Sequence, residues 1–379
     1  MNDKSLVDAI YYSSNLEKVM LEDRERFLNL YNAFDKKQEE YCFKSCKDQT
    51  TIKFLQPLLQ DGVVKVENMF SKEDLRDLKG FSSFMDSGIK HNQLALANHP
   101  ENTDNVESIA GYITPGGSLK LLVETNFNFW KEQWLEAIHT FSNDVLFSSS
   151  KDPWDGQIRM QSKVWGGHLP GAGKLAKNKL LCNIFANYNS LPQVVINNSN
   201  LEWILPSKKN HNGWHRDCST HQLKAMVLLN DVDEYSAPLL YALKSHRTTT
   251  DFDKQHLYDR FCLSGEYKYD NPDSWKSIRN SWPEHSRKKE GSHCGYLDDN
   301  SAPNDILPKD RIPSQIEIGG STYELFVGTG KAGDVIIFDS CGLHSGSRSH
   351  TKTRRNITFS STRSLSLKRA FFTGIRKFS

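Results

Sequence analysis

The sequence predicts an α+β chain with a mainly β core, built as a β-sandwich braced by helices on one side. Two observations carry this. Apolar residues recur at helical spacing between Leu16 and Leu146, whereas short β-branched and aromatic runs crowd the second half. Helices first and strands later separate the two kinds of layer. At 379 residues the chain can bury a sizeable core, as one elaborated domain or as two.

Residues 1–50 read as a helical extension. Leu16, Val19, Met20, Phe27, Leu28, Tyr31 and Phe34 form an amphipathic stripe among many charges. No Pro- or Gly-rich linker follows, so the stripe is expected to pack on the core, with a dimer contact through these helices as the alternative. Cys42 and Cys46 read as helical residues one turn apart, because no second pair lies at zinc-finger spacing. Residues 51–379 then form the main domain. Ser71 and Asp74 make a capping-box pattern ahead of Leu75 and Leu78, which predicts a helix start. The aromatics and aliphatics of 118–148 read as one or two buried helices. Strand candidates follow at Gln193–Asn198, Leu201–Leu205, Ala225–Asn230, Tyr323–Val327, Val335–Phe338 and Asn356–Ser360. Residues 247–322 interrupt them and are too long for a structureless loop, so they predict a lid or small subdomain. Within it Trp275, Ile278 and Trp282 could share a helix face, either over a pocket or docked on the core, and Glu284–Asn304 reads as an exposed loop.

Composition limits the partners. Forty-eight basic residues against 46 acidic give a net charge of +2, which argues against bulk nucleic-acid binding. A local basic cluster at Lys352, Arg354, Arg355, Arg363, Lys368, Arg369, Arg376 and Lys377 reads as a solvated face, with a handle for an anionic substrate or a carrier-protein contact as the alternative. Seven cysteines without framework spacing point to free thiols in a reducing compartment. No apolar run reaches the ~20 residues of a membrane span, and no signal-like start is present, so a cytoplasmic protein is expected. The terminal Lys377-Phe-Ser379 is not a peroxisomal address.

One stretch carries chemistry. In Gly213-Trp-His-Arg-Asp217, an extended backbone points His215 and Asp217 the same way, with Trp214 turned away. An H-x-D pair alone is weak. Downstream, His344 follows the strand-like run Val335–Phe338, and two histidines plus one carboxylate can hold a metal while leaving its opposite positions open. Eleven residues beyond His344, Arg355 alternates onto the face of Ile357 and Phe359, where a guanidinium calls for an anion. Arg354 would face solvent. His211, His246 and His350 read as loop residues, and His221 as either loop or pocket lining.

In this order the motifs resemble the phytanoyl-CoA dioxygenase (PhyH-like) branch of the Fe(II)/2-oxoglutarate oxygenases. The resemblance runs through Phe54–Val66 with Ser71–Asp74, Trp214–Asp217, Asp231–Glu234 with Ala237-Pro-Leu-Leu240 and Ser245-His246, and Ala332–Arg355, covering residues 50–365. It implies a double-stranded β-helix (jelly roll, cupin-like) with Fe(II) held by His215, Asp217 and His344, and 2-oxoglutarate held by Arg355. O2 completes the set, for hydroxylation of a small organic substrate with release of succinate and CO2. Desaturation, cyclisation, epimerisation or a catalytically silent metal-binding scaffold stay open. The retained Asp217 disfavours halogenation, for which related enzymes carry Gly or Ala there. Two departures stand out: Ala237 and Lys244 occupy places where the family's turns carry Gly.

Overall fold

The structure is a computed structural model that describes residues 24–80 and 82, 145–149, 157–164, most of 169–204, 212–217, 221–262, 312–347 and 351–361. Two antiparallel sheets make up its centre. The larger has the order β1-β10-β6-β12-β4-β3-β2, formed by β1 (Val63–Val66), β2 (Val145–Ser149), β3 (Gln157–Lys163), β4 (Ile196–Ile204), β6 (Leu223–Leu228), β10 (Val335–Asp339) and β12 (Arg354–Ser361). The smaller has the order β5-β11-β7-β9-β8, formed by β5 (Asn212–His215), β7 (Leu239–Ala242), β8 (Gln315–Ile318), β9 (Ser321–Gly328) and β11 (His344–Gly346). From β4 to β7, and again from β9 to β12, successive strands pass from one sheet to the other. That winding is a double-stranded β-helix.

Strict alternation along the central strands separates the core into layers. Met226, Leu228, Ile336 and Phe338 point between the sheets and meet Leu239 and Tyr241 of the smaller sheet. Their neighbours Ala225, Val227, Val335 and Ile337 point outward, under the helices. Burial on both faces explains why all five residues of β10 are buried and why it reads as a continuous apolar run. A third cluster, with Trp214, Leu240, Ile316 and Tyr323, lies on the outer face of the smaller sheet.

The helices cover the outer face of the larger sheet. Helix α2 (Gln49–Asp61) starts at Asp48, whose side chain accepts from the Thr50 amide, and stops at Gly62 with φ +84°. It buries Leu55, Leu58 and Leu59. Helix α4 (Lys179–Tyr188), capped by Asn178, packs beside it through Leu181, Ile184, Phe185 and Tyr188, after the short α3 (Ala172–Ala176). Helix α1 (Arg24–Ser45) lies against both, burying Tyr31, Asp35, Gln38 and Cys42 at spacings of four and three. The Ser71–Asp74 capping box forms, with reciprocal bonds of 2.8 to 3.2 Å.

Three expectations change. Val145 and Leu146 belong to β2, paired with Ser162 and Gln161 of β3, not to a helix. A short apolar run is ambiguous between the two periods, and here an open sheet edge decides it. The two strand candidates at 193–205 are one strand, β4, whose polar centre Asn198-Ser-Asn200 stays in the ladder with β12. The stretch 247–322 is not wholly an insertion, because β8 and the first residues of β9 extend the smaller sheet through a hairpin at Gly319-Gly320. Their φ values of +58° and +75° suit the tight turn that glycine permits. Leu16, Val19 and Met20, all of 118–144, Trp275, Ile278, Trp282 and 284–304 lie outside the described residues.

Candidate metal centre

His215 and His344 face each other as a registered pair between β5 and β11. Their ring centroids are 4.4 Å apart. Asp217, just past β5, is held by its amide bond to the Ser340 carbonyl at 2.9 Å. It turns its carboxylate back, with Oδ2 3.1 Å from His344 Nε2 and Oδ1 3.7 Å from His215 Nε2. Metal–ligand bonds of about 2.1 Å at right angles place two donor atoms about 3 Å apart, so the three groups suit one divalent ion. His344 Nδ1–H donates to the Gly342 carbonyl at 2.9 Å, which leaves Nε2 as the free ligand nitrogen. Phe338 of the larger sheet backs the His344 ring at 5.2 Å, so the group lies between the sheets. Trp214 is buried on the opposite, outer face, as alternation requires.

Burial would raise the Asp217 carboxyl, but Lys224, then His344 and His215, outweigh it and hold it well below the usual carboxylate range. Lys224 reaches across from β6 of the larger sheet, its Nζ 2.6 Å from Asp217 Oδ2.

Arg216, between the two ligands in sequence, is fully buried and turned away from them. Its guanidinium bonds Asp253 Oδ1 at 2.5 Å, His256 Nδ1 at 2.9 Å, and the carbonyls of Cys341 at 2.7 Å and of Ser245. Asp253 and His256 lie on α5 (Asp251–Cys262), the first element of 247–322. Asp253 Oδ2 also accepts from Thr250 Oγ1 at 2.9 Å while Thr250 Oγ1 takes the Asp253 amide at 3.0 Å, a capping box that starts the helix. One side chain thus ties α5 to both ligand-bearing loops.

The two arginines of β12 lie on opposite faces. Asn356 and Thr358 pair with Leu228 and Met226, so they look between the sheets, and Arg354 shares that face. Arg354 is buried, with Nε bonded to Asn356 Oδ1 at 3.0 Å and Nη1 to the Ala237 carbonyl, which corrects the expectation that it faces solvent. Asn356 continues the polar strip to Glu202 Oε2 at 3.0 Å. Arg355 registers opposite Trp203 and lies with Ile357 and Phe359 on the face that the helices cover. The apolar side of β12 is the side under the helices. The side facing the site reads polar.

Behind the centre lies a second buried group. His221 takes Asp339 on Nδ1 and Asp35 on Nε2, the latter at 2.5 Å. Tyr188 donates to Asp339 at 2.6 Å, and Tyr31 bonds the His246 carbonyl at 3.1 Å with Cys341 Sγ at 3.2 Å. Burial pushes His221 down, but Asp339 and Asp35 overcome it and lift it to about 9, while Asp339 is held far below its ordinary value. The imidazole, Asp339 and Cys341 are close enough to ligate an ion, yet the His221 imidazolium and Arg247, 3.3 Å from Asp35, already balance the two carboxylates. His221 thus sits in the loop before β6, buried among these partners. His246 donates to the Leu59 carbonyl at 3.3 Å, and burial, with Arg247 adding, pushes it down to about 3. His211 and His350 lie outside the described residues.

Fold and cluster together define a double-stranded β-helix with a His-Asp-His candidate metal centre between its sheets. No family model matches the chain, and no curated protein matches it. Among solved structures it is similar to EctD from S. alaskensis in its apoform, at 15% identity over 83% of this chain and 78% of EctD, with a TM-score of 0.41. It is also similar to AviO1 from Streptomyces viridochromogenes Tue57, at 13% identity over 82% and 94% of the two chains with a TM-score of 0.38. A third is the epimerase SnoN in complex with Fe3+, alpha ketoglutarate and nogalamycin RO, at 10% identity over 82% of each chain with a TM-score of 0.39. No helix among the described residues is long and apolar enough to cross a membrane.

Proposed function

We propose that the chain is an Fe(II)- and 2-oxoglutarate-dependent oxygenase of the PhyH-like kind that hydroxylates a small organic substrate. The observation that carries this is the convergence of His215 Nε2, Asp217 and His344 Nε2 from two strands and a loop onto one point between the sheets. Two neutral imidazoles and one carboxylate suit Fe(II) and leave its other positions to a chelating cosubstrate and O2. Bound iron would supply the oxidising chemistry, with O2 as oxidant and 2-oxoglutarate leaving as succinate and CO2.

The protein's own share is positioning and exclusion of water. The Gly342 carbonyl fixes the His344 tautomer, Ser340 fixes the Asp217 backbone, and Phe338 closes one side of the ring. For the far carboxylate of 2-oxoglutarate we favour Arg354, the guanidinium on the interior face, over Arg355, which the spacing from His344 singles out.

Anaerobic titration with Fe(II) and then 2-oxoglutarate should raise a weak visible metal-to-ligand band, and a metabolite screen for stimulated succinate release then identifies the substrate. Arg354→Ala should weaken 2-oxoglutarate about ten-fold or more while Fe(II) affinity holds. The same loss in Arg355→Ala alone would return the role to Arg355. Absence of any band in the parent protein would refute the site.

A further inference from the structure

Lys224 is a cation in contact with the candidate ligand set. It stands on β6 opposite Phe338 and Ser360, on the face that looks between the sheets. Its Nζ lies 2.6 Å from Asp217 Oδ2, the same oxygen that is 3.1 Å from His344 Nε2. Both side chains are largely withdrawn from water, at 24% and 18% exposure, so solvent screens the pair only in part. An ammonium and a divalent ion therefore compete for one carboxylate oxygen.

We propose that Lys224 is a positioning residue that makes metal loading of this site depend on an anionic cosubstrate. The proposal rests on the metal-site reading above and follows from charge. Two neutral imidazoles, one carboxylate and one ammonium sum to zero. A divalent cation added alone leaves +2 in a poorly screened space, which opposes its entry. A dicarboxylate arriving with the metal restores neutrality. Without Lys224 the same set would carry −1 before loading and +1 after, so the bare ion would bind more readily and gain less from the dianion. A neighbouring like charge commonly shifts the affinity for a proton by one to three decades, and an ion on the same carboxylate feels the same field. Linkage is reciprocal, so Lys224 also raises the factor by which metal tightens dicarboxylate binding.

The test is anaerobic titration with Co2+, read by its visible absorbance, with and without 2-oxoglutarate, on the full chain and on Lys224→Met, Lys224→Gln and Lys224→Arg. Thermal unfolding checks that each variant is folded, and the two neutral variants stand in for one another should one fail. The neutral variants should bind Co2+ alone about ten-fold tighter than the parent, and the tightening produced by 2-oxoglutarate should shrink by a similar factor. Lys224→Arg should keep the parent's pattern. Neutral variants that match the parent in both quantities overturn the proposal while leaving the metal site intact. A parent that binds no Co2+ under either condition overturns the metal site and the proposal with it.

Discussion

Asp253→Ala removes the charged partner of a guanidinium with no exposed surface. Both side chains of the Arg216–Asp253 pair are 0% exposed, and the contact is 2.5 Å. Breaking such a pair from one side costs about 3–5 kcal/mol, because the remaining charge stays buried. Arg216 keeps His256 Nδ1 and the carbonyls of Ser245 and Cys341, which favours the lower half of that range. The Asp253 carboxylate also accepts from the hydroxyls of Thr249 at 3.1 Å, Thr250 at 2.9 Å and Tyr323 at 3.0 Å, and losing these bonds adds about 1 kcal/mol. The expected loss is about 4 kcal/mol, measured by urea unfolding at pH 7. Arg216→Met combined with Asp253→Leu should lose less than Asp253→Ala alone, since no charge is then stranded. Because Arg216 is flanked by His215 and Asp217, Asp253→Ala should also weaken Co2+ binding. An Asp253→Ala protein within about 1 kcal/mol of the parent would refute the reasoning, since an uncompensated buried charge cannot be that cheap.

Other outcomes follow from the same contacts. His221, lifted to about 9, stabilises the fold fully below its unfolded value near 6.5, and that contribution disappears as pH rises through about 9. His246, pushed down to about 3, acts on the other side: stability present above about 6.5 is lost as pH falls toward 3. Unfolding free energy should therefore decline at both ends of pH 4–9. His221→Gln should flatten the alkaline limb, and an unchanged limb would reject its assignment. Lys244 is exposed and holds φ +65°, a strain of about 1–2 kcal/mol for a residue with a Cβ. Lys244→Gly should gain about 0.5–1 kcal/mol after the greater entropy of the unfolded glycine chain is counted, seen as a higher midpoint in urea. Ala237, at φ +55° but fully buried, loses about 0.8 kcal/mol of methyl burial on change to Gly, so its net effect should be close to zero.

The sequence exposes the strands that are buried on both faces, because Val335–Phe338 and Ala225–Leu229 are too apolar to lie elsewhere. His215, Asp217 and His344 are legible from spacing and chemistry, and their convergence is a matter of geometry. Lys224 escapes because the apolar run begins at Ala225; with the strand begun at Leu223, a period of two puts Lys224 on the face of Met226 and Leu228, as a lone charge facing inward. Arg354 and Arg355 are adjacent, and only knowing which face the helices cover assigns them. The buried stripe of α1 is hidden for a different reason. Asp35 and Gln38 occupy it, and a hydrophobic pattern omits polar residues whose partners, His221 and the Tyr188 carbonyl, lie about 150 positions or more away. The glycine departures at Ala237 and Lys244 do leave a trace, since both residues take the left-handed conformation that their turns demand.

Tyr31 of α1 bonds partners 190, 215 and 310 positions downstream, in His221, the His246 carbonyl and Cys341. During synthesis this helix emerges long before any of them exists. It must wait, with the face bearing Tyr31 and Asp35 exposed, until β10 and the loop after it are made. Contacts of such long sequence separation close late and slow the search. Docking of α1 is then among the last steps of folding, and it completes the charge balance around Asp339 only after both sheets are in place.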